Sequence, residues 1–186
     1  MSTALLLIDI QNDYFPGGKM ELTCSMQALA AASCLLAEFR RQQWKIYHVQ
    51  HISMQPGATF FLPETYGVRI HKNVSPRDGE TVVTKHYPSS FRDTGLYTLL
   101  KEDYIDTLLI CGMMTHMCVD TTVRASFDLG FKNIVVHDAC ATKSLEFNGT
   151  GVPAAQVQAS YMASLGAVFA QIKSVDEILE NMAARC

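Results

Sequence analysis

Charge is scarce in this chain of 186 residues: 18% of them are Asp, Glu, Lys or Arg, and neither sign gathers into a run. With Lys+Arg 15 against Asp+Glu 18, the formal net charge is −3. No basic footprint for phosphate backbones exists, so nucleic acid is not an expected partner. Long apolar runs are lacking too. The run nearest the start, Ala4 to Ile8, stops at Asp9, whereas a signal peptide needs a basic start and a longer apolar segment, and a membrane span needs about 20 residues. The expectation is a soluble, cytoplasmic protein with no membrane partner. Six cysteines (Cys24, Cys34, Cys111, Cys118, Cys140, Cys186) form no C-x-x-C pair, and several lie in apolar runs where free Cys acts as a small hydrophobe. A disulfide framework is excluded, and at most one thiol is expected to be reactive. Gly (11) and Pro (6) are too sparse for a low-complexity or linker-rich chain.

What is abundant is apolar residue content, 48%, and the length suits one compact domain over residues 1–186. The run Ala4 to Ile10 is continuous rather than alternating, the pattern of a parallel strand covered on both faces. Met26 to Gln42 reads as a helix and Lys45 to Gln50 as a second strand. Residues 51–80 are irregular, and a loop of that length is expected to be a lid or an interface. Thr81 to Lys85 reads as a third strand, Leu96 to Lys101 as a short helix, and Thr107 to Gly112 as a fourth strand. Met117 to Leu129 reads as a helix stopped at Gly130, and Asn133 to Asp138 as a fifth strand. A helix is expected from Pro153 to Leu165 with Gly166 ending it, then a sixth strand over Ala167 to Gln171 and a closing helix over Val175 to Ala183. Strands alternating with helices imply a three-layer α/β/α sandwich around a six-stranded parallel, Rossmann-like sheet.

Open parallel sheets bind ligands outside the carboxyl ends of their strands. There the chain places Asp9 after strand one, Lys85 at the end of strand three, and Cys118 at the helix start after strand four. A thiol with an ordinary pKa of about 8.5 is mostly protonated at neutral pH and needs activation before it attacks a carbonyl. Asp9 can take its proton, while Lys85 and a helix N-terminus favour the thiolate. Singly, each residue also suits a plainer role: Cys118 as a buried helix cysteine, Asp9 as a strand-end cap, Lys85 as a solvated strand end. On spacing alone, acyl transfer and a structural reading stand about level.

Two segments are more specific. Leu7-Ile8-Asp9-Ile10-Gln11-Asn12-Asp13-Tyr14 and Cys111-Gly112-Met113-Met114-Thr115-His116-Met117-Cys118-Val119, with Thr121-Thr122 and Ala125, together resemble the isochorismatase-like cysteine hydrolases. Lys85, with Ser90-Phe91 and Thr94-Gly95-Leu96, matches the family's third motif. The resemblance runs from about Ala4 to Ile172. It implies a catalytic triad of Asp9 (general base), Lys85 (electrostatic partner) and Cys118 (nucleophile). It also implies a non-proline cis peptide at Met113-Met114, aiming the Met114 N–H beside that of Cys118 at an oxyanion. The expected reaction is hydrolysis of a small amide, carbamoyl or ureido compound through a Cys118 thioester, without a cofactor. Isochorismatase proper cleaves a vinyl ether without that cysteine, so Cys118 favours C–N hydrolysis.

Nicotinamidases of this family carry a metal site built on an Asp-x-His at the end of strand two with further histidines. Here Val49 stands at the carboxylate position, leaving His51 and His71 without an acidic ligand, so no metal is expected. Phe15, His86, Phe91, Thr115 and His116 are the candidate substrate-binding residues, with Tyr14, Phe60, Phe61, Tyr87 and Asn148 as further pocket candidates. Family resemblance also suggests a homo-oligomer. The competing readings are a metal-assisted nicotinamidase and a non-catalytic binding or scaffold protein on the same fold.

Overall fold

In the computed structural model, which describes residues 2–183, the chain builds the expected three layers; Cys186 lies outside the described residues. The elements run β1 (Thr3–Ile8), α1 (Ser25–Arg41), β2 (Ile46–His51), β3 (Thr81–Lys85), α2 (Leu96–Glu102), β4 (Thr107–Met113), α3 (Asp120–Asp128) and β5 (Lys132–Ala141). A hairpin, β6 (Leu145–Phe147) and β7 (Thr150–Val152), is followed by α4 (Ala154–Val168), β8 (Gln171–Lys173) and α5 (Val175–Ala183). The main sheet has the order β3-β2-β1-β4-β5-β8, and all its pairings are parallel.

β1 is the centre, and its continuous apolar run has a direct cause. Residues 4–8 are each no more than 2% exposed, because alternate side chains feed two different cores. Leu5 and Leu7 face one layer with Leu29, Leu36, Phe39 and Ile178 from α1 and α5. Ala4, Leu6 and Ile8 face the other, with Leu96 and Leu100 of α2, Val123 of α3 and Met162 and Leu165 of α4. α1 supplies its layer through a stripe at Ala28, Leu29, Ala32, Leu35, Leu36 and Phe39, the spacing of one helix face.

After α3, the chain departs from the sequence expectation in three places. Gly166 does not end α4, which continues to Val168; a Cβ there would meet Ile172 Cγ1 at 3.0 Å. The glycine instead lets β8 pack close, so the last strand falls at Gln171–Lys173 rather than over Ala167 to Gln171. β5 is longer than expected, and its register against β4 shifts between Ile110 and Gly112. The β6–β7 hairpin stands where only a loop was anticipated. Its turn residues Asn148 (φ 50) and Gly149 (φ 75) are both left-handed, as a tight two-residue hairpin requires; Asn148 is thus a turn residue.

Two packing features hold the ends of the sheet. Glu80, just before β3, accepts Arg40 Nε at 2.6 Å and Nη2 at 2.8 Å, the Arg77 N–H at 2.9 Å, and lies 2.9 Å from His48 Nε2. Burial works to raise the Glu80 carboxyl, but the Arg40, Arg77 and His48 contacts outweigh it and hold it at about 2. Gly112, at φ 132, passes so close to β1 that a Cβ would lie 2.0 Å from the Ile8 carbonyl oxygen.

Two outcomes follow. Glu80→Gln should lose about 2 kcal/mol of stability at pH 7 in urea denaturation, the scale of charge-assisted hydrogen bonds. Because the folded carboxyl titrates below its ordinary 4.5, that stabilisation is present above pH 4.5 and lost as pH falls toward 2, so the gap to wild type should close over that window. Gly112→Ala combines a backbone clash with a φ that L residues avoid, and should cost on the order of 3 kcal/mol or yield no folded protein.

Candidate active site

The chain order of the sheet reverses between β1 and β4, and the candidate residues gather outside the carboxyl ends there. Asp9 leaves β1 in the left-handed region (φ 51), while its N–H still bonds the Val49 carbonyl at 3.1 Å. Asp tolerates that conformation better than most residues. Lys85 is the last residue of β3 and pairs in register with His51 at the end of β2. Cys118 sits in a π-helical turn, Thr115–Val119, inserted between β4 and α3; sequence alone had run α3 through this segment from Met117. Such turns often mark functional sites.

All three side chains are buried: Asp9 is 0% exposed, Lys85 1% and Cys118 5%. Lys85 Nζ lies 2.7 Å from Asp9 Oδ2. Asp9 is thus paired with that ammonium and stands beside the Cys118 thiol. The ammonium is held by further acceptors, Tyr87 O at 3.1 Å, Pro88 O at 3.2 Å and His51 Nδ1 at 3.1 Å. Cys118 Sγ, an Asp9 carboxylate oxygen and a His51 ring nitrogen all lie within 4.8 Å of one another. Three segments far apart in sequence therefore deliver a carboxylate, an ammonium and a thiol to one closed space.

The electrostatics assign a resting state. Burial, then the Asp9 charge, push the Cys118 thiol well above its ordinary value, while Lys85 pulls the other way. The free site thus holds a neutral thiol beside a carboxylate, not a stored thiolate. For Lys85, burial opposes the charge, but Asp9 and Cys118 more than offset it and the pKa is raised. It stays an ammonium. Burial also lowers His51 to about 4, with Asp9 opposing and Lys85 reinforcing. His51 is therefore neutral at pH 7, its Nδ1 an acceptor.

The motif neighbours brace this arrangement. Ser90 N and Oγ meet Thr122 Oγ1 at 3.0 and 2.9 Å, and Thr94 Oγ1 donates to Ser90 O at 2.6 Å. The loop that cups Lys85 is thereby tied to α3, just beyond Cys118. Thr115 is fully buried, with its hydroxyl 2.6 Å from Gln158 Oε1 and 3.2 Å from Ala141 O; that one hydroxyl proton fastens the π-helical turn to α4 and β5. His116 Nδ1 meets Thr142 Oγ1 at 2.5 Å, with its ring against Tyr161. The Met113-Met114 peptide is cis. Phe91 packs on the apolar layer that contains Cys118 and stacks toward Phe131. Phe15 is buried in the other layer beside Met113 and Met114, its ring 4.5 Å from that of His71. His86 is exposed and its Nδ1 lies 2.8 Å from Ile52 O.

One group of residues escaped the sequence reading. Gln11, fully buried, donates through Nε2 to His51 O (2.8 Å) and Val68 O (2.6 Å), and accepts the His51 N–H at 2.8 Å. Asn12 Nδ2 donates to Tyr66 O at 3.0 Å. The Asp13 carboxylate accepts the Phe61 N–H at 2.7 Å and the Lys19 N–H at 3.1 Å, and lies where a Cβ on Gly67 would reach within 2.1 Å. Gln11-Asn12-Asp13 thus clamps the 51–80 loop and seats Phe61 against Tyr14 and His51, at 4.7 and 6.0 Å between ring centroids. The available signal was three polar side chains directly after a fully buried strand, where each must find a partner.

Asp9, His51 and Cys118 have the atom types of a metal site, but the surroundings do not fit one. The Lys85 ammonium sits 2.7 Å from Asp9 and 3.1 Å from His51 Nδ1, placing a full positive charge where a dication would go. Val49 is a buried aliphatic residue, and His71 Nδ1 is taken by the Asn73 N–H at 3.3 Å.

The profile of the Isochorismatase domain matches residues 3–165. Over 180 residues, the chain is 47% identical to the uncharacterized isochorismatase family protein YddQ of Bacillus subtilis (strain 168), covering 97% of this chain and 100% of that one. It is 34% identical over 139 residues to streptothricin hydrolase of Streptomyces noursei, covering 75% of this chain and 49% of that protein. A crystal structure from Oleispira antarctica, named for an isochorismatase hydrolase, superposes with a TM-score of 0.92 at 48% identity, covering 96% of each chain. With the fold, the motif residues and these relatives in agreement, the chain belongs to the isochorismatase family of hydrolases.

Proposed function

We propose that the protein is a metal-independent cysteine hydrolase that cleaves the C–N bond of a small amide, carbamoyl or ureido compound. The observation that carries this reading is the buried Asp9–Lys85 ion pair with the Cys118 thiol beside it. Similarity to streptothricin hydrolase adds support for a hydrolytic activity.

Asp9 removes the Cys118 proton as sulfur attacks the carbonyl carbon, forming the C–S bond and moving the carbonyl electron pair onto oxygen. The backbone N–H groups of Met114 and Cys118 receive that oxyanion. As the oxyanion collapses, the C–N bond breaks, and the proton held on Asp9 goes to the departing nitrogen. Water then gives a proton to Asp9 as its oxygen attacks the thioester carbonyl; collapse of that adduct breaks the C–S bond, and the departing Cys118 thiolate takes the proton back from Asp9, releasing the acid. Lys85 supplies a fixed positive charge that stabilises the developing thiolate. A thiol held neutral at rest suits this scheme, because deprotonation is coupled to attack and no free thiolate stands exposed to oxidants.

Substrate selection falls to the aromatic group of Tyr14, Phe60 and Phe61, with Phe15 and Phe91 behind it in the two apolar layers. Burial first, then the charges of Cys118, Asp9 and Asp13, raise the Tyr14 phenol well above its ordinary value. It remains a neutral donor able to bind a carbonyl or carbamoyl oxygen. His86, Thr115 and His116 complete the proposed substrate-binding set, with Thr115 and His116 acting through the shape of the turn they fasten.

Screening small amides, carbamoyl and ureido compounds for ammonia or amine release should find turnover by the wild-type protein. Cys118→Ala and Asp9→Asn should each reduce kcat at least about 10³-fold, with folding intact by circular dichroism. Prolonged chelation should leave the rate unchanged. Retention of full activity by Cys118→Ala, or loss on chelation restored by added zinc, would overturn the reading.

A further inference from the structure

We infer that His51 is a positioning residue: its imidazole fixes the Lys85 ammonium toward Asp9 and Cys118, and is itself fixed by the Gln11 carboxamide. The inference rests on the cysteine-hydrolase reading above and adds a fourth side chain to its machinery.

An ammonium has three N–H donors and no preferred plane, so its direction is set by its acceptors. Around Lys85 Nζ stand Tyr87 O, Pro88 O and His51 Nδ1 at 3.1, 3.2 and 3.1 Å, with Asp9 Oδ2 at 2.7 Å. Both carbonyls belong to the residues immediately following Lys85 in its own chain segment. Only His51 anchors the ammonium from β2, the strand that lies between Lys85 and Asp9 in the sheet. Removing that acceptor leaves the Asp9 carboxylate and the two carbonyls of its own segment, and frees the ammonium to turn about the Asp9 contact and change its direction toward the thiol.

His51 can do this only if its own backbone is fixed, and the fixing is unusual. β2 ends at His51, so its N–H and C=O reach the sheet edge together, and one side chain takes both: Gln11 Oε1 accepts the N–H at 2.8 Å and Gln11 Nε2 donates to the C=O at 2.8 Å. A carboxamide, with a donor and an acceptor side by side, can pair in both directions with a single residue's backbone, as a neighbouring strand would. The chain of fixation runs Gln11 to His51 to Lys85, with no bond to substrate. The charged or titratable groups facing His51 and Lys85 are Asp9 from the end of β1, Cys118 from the π-helical turn and His86 following β3; Tyr14, from the turn after β1, faces Asp9 and Cys118.

The test uses iodoacetamide at pH 7.5 as a substrate-independent probe of Cys118, where Asp9 takes the thiol proton as sulfur attacks the alkylating carbon, so the rate reads the same coupled deprotonation as the proposed mechanism; it is read by peptide mass spectrometry, with the exposed Cys24 and Cys34 as internal controls. Lys85→Met should slow Cys118 alkylation at least tenfold and leave the controls unchanged. His51→Gln keeps a polar side chain but moves its acceptor beyond the Nδ1 position, and should slow Cys118 fivefold or more. His51→Asn, whose amide oxygen falls near the Nδ1 position, should recover to within about threefold of wild type. The double variant Lys85→Met/His51→Gln should be no slower than Lys85→Met alone, because His51 acts through Lys85. Melting curves identify any variant that fails to fold, and the Asn against Gln contrast decides the matter between two folded proteins. Equal rates for His51→Gln and wild type, equal losses for Asn and Gln, or additive losses in the double variant would overturn the inference while leaving the cysteine mechanism standing. No effect of Lys85→Met itself would instead count against the cysteine mechanism.

Discussion

A carboxylate and an ammonium 2.7 Å apart, both removed from solvent, are the constraint on which this structure depends. Burying either charge alone costs several kcal/mol, and even as a pair they repay that cost only when held in good geometry. The surrounding fold supplies that geometry. Asp9 is delivered by the central strand, where no side chain from Ala4 to Ile8 sees water, and Lys85 by β3, two strands away in the sheet. His51 and two carbonyls surround the ammonium. In the mechanism proposed above, the Asp9 carboxylate takes the proton of the thiol beside it.

The same frame explains why so many polar residues cluster at one edge of an otherwise apolar sheet. Gln11, Asn12 and Asp13 hold the irregular 51–80 segment by its backbone, and Ser90, Thr94 and Thr122 hold the loop that follows Lys85. Neither set contains a reacting group. Each replaces missing secondary structure with side-chain hydrogen bonds, which leaves the loops ordered while their apolar residues line the site.

Much of this was legible from residue order. The continuous apolar run Ala4 to Ile8 forecast a two-faced central strand, and the helix–strand alternation forecast the parallel sheet. The Asp9, Lys85 and Cys118 motifs forecast which residues meet. The illegible parts have physical causes. Gly166 is a good stop signal locally, yet the close packing of Ile172 keeps the helix going past it. The β6–β7 strands are three residues each, too short for a period-two pattern, although Asn148-Gly149 carried the turn signal. The π-helical turn has the composition of an ordinary helix start. His51 reads in the sequence as a histidine without a carboxylate two residues before it; that its ring meets Lys85 depends on the pairing of β2 with β3, which no local pattern encodes.

The account centres on acyl transfer to the Cys118 sulfur, and the most direct measurement is a turnover experiment in the presence of hydroxylamine, with acid-quenched samples mapped by peptide mass spectrometry. A thioester on Cys118 should appear as an added acyl mass on that residue alone. Hydroxylamine should divert it to a hydroxamate product while amine release continues. Turnover with Cys118 unmodified at every quench time, and with no hydroxamate formed, would contradict a covalent route through this residue.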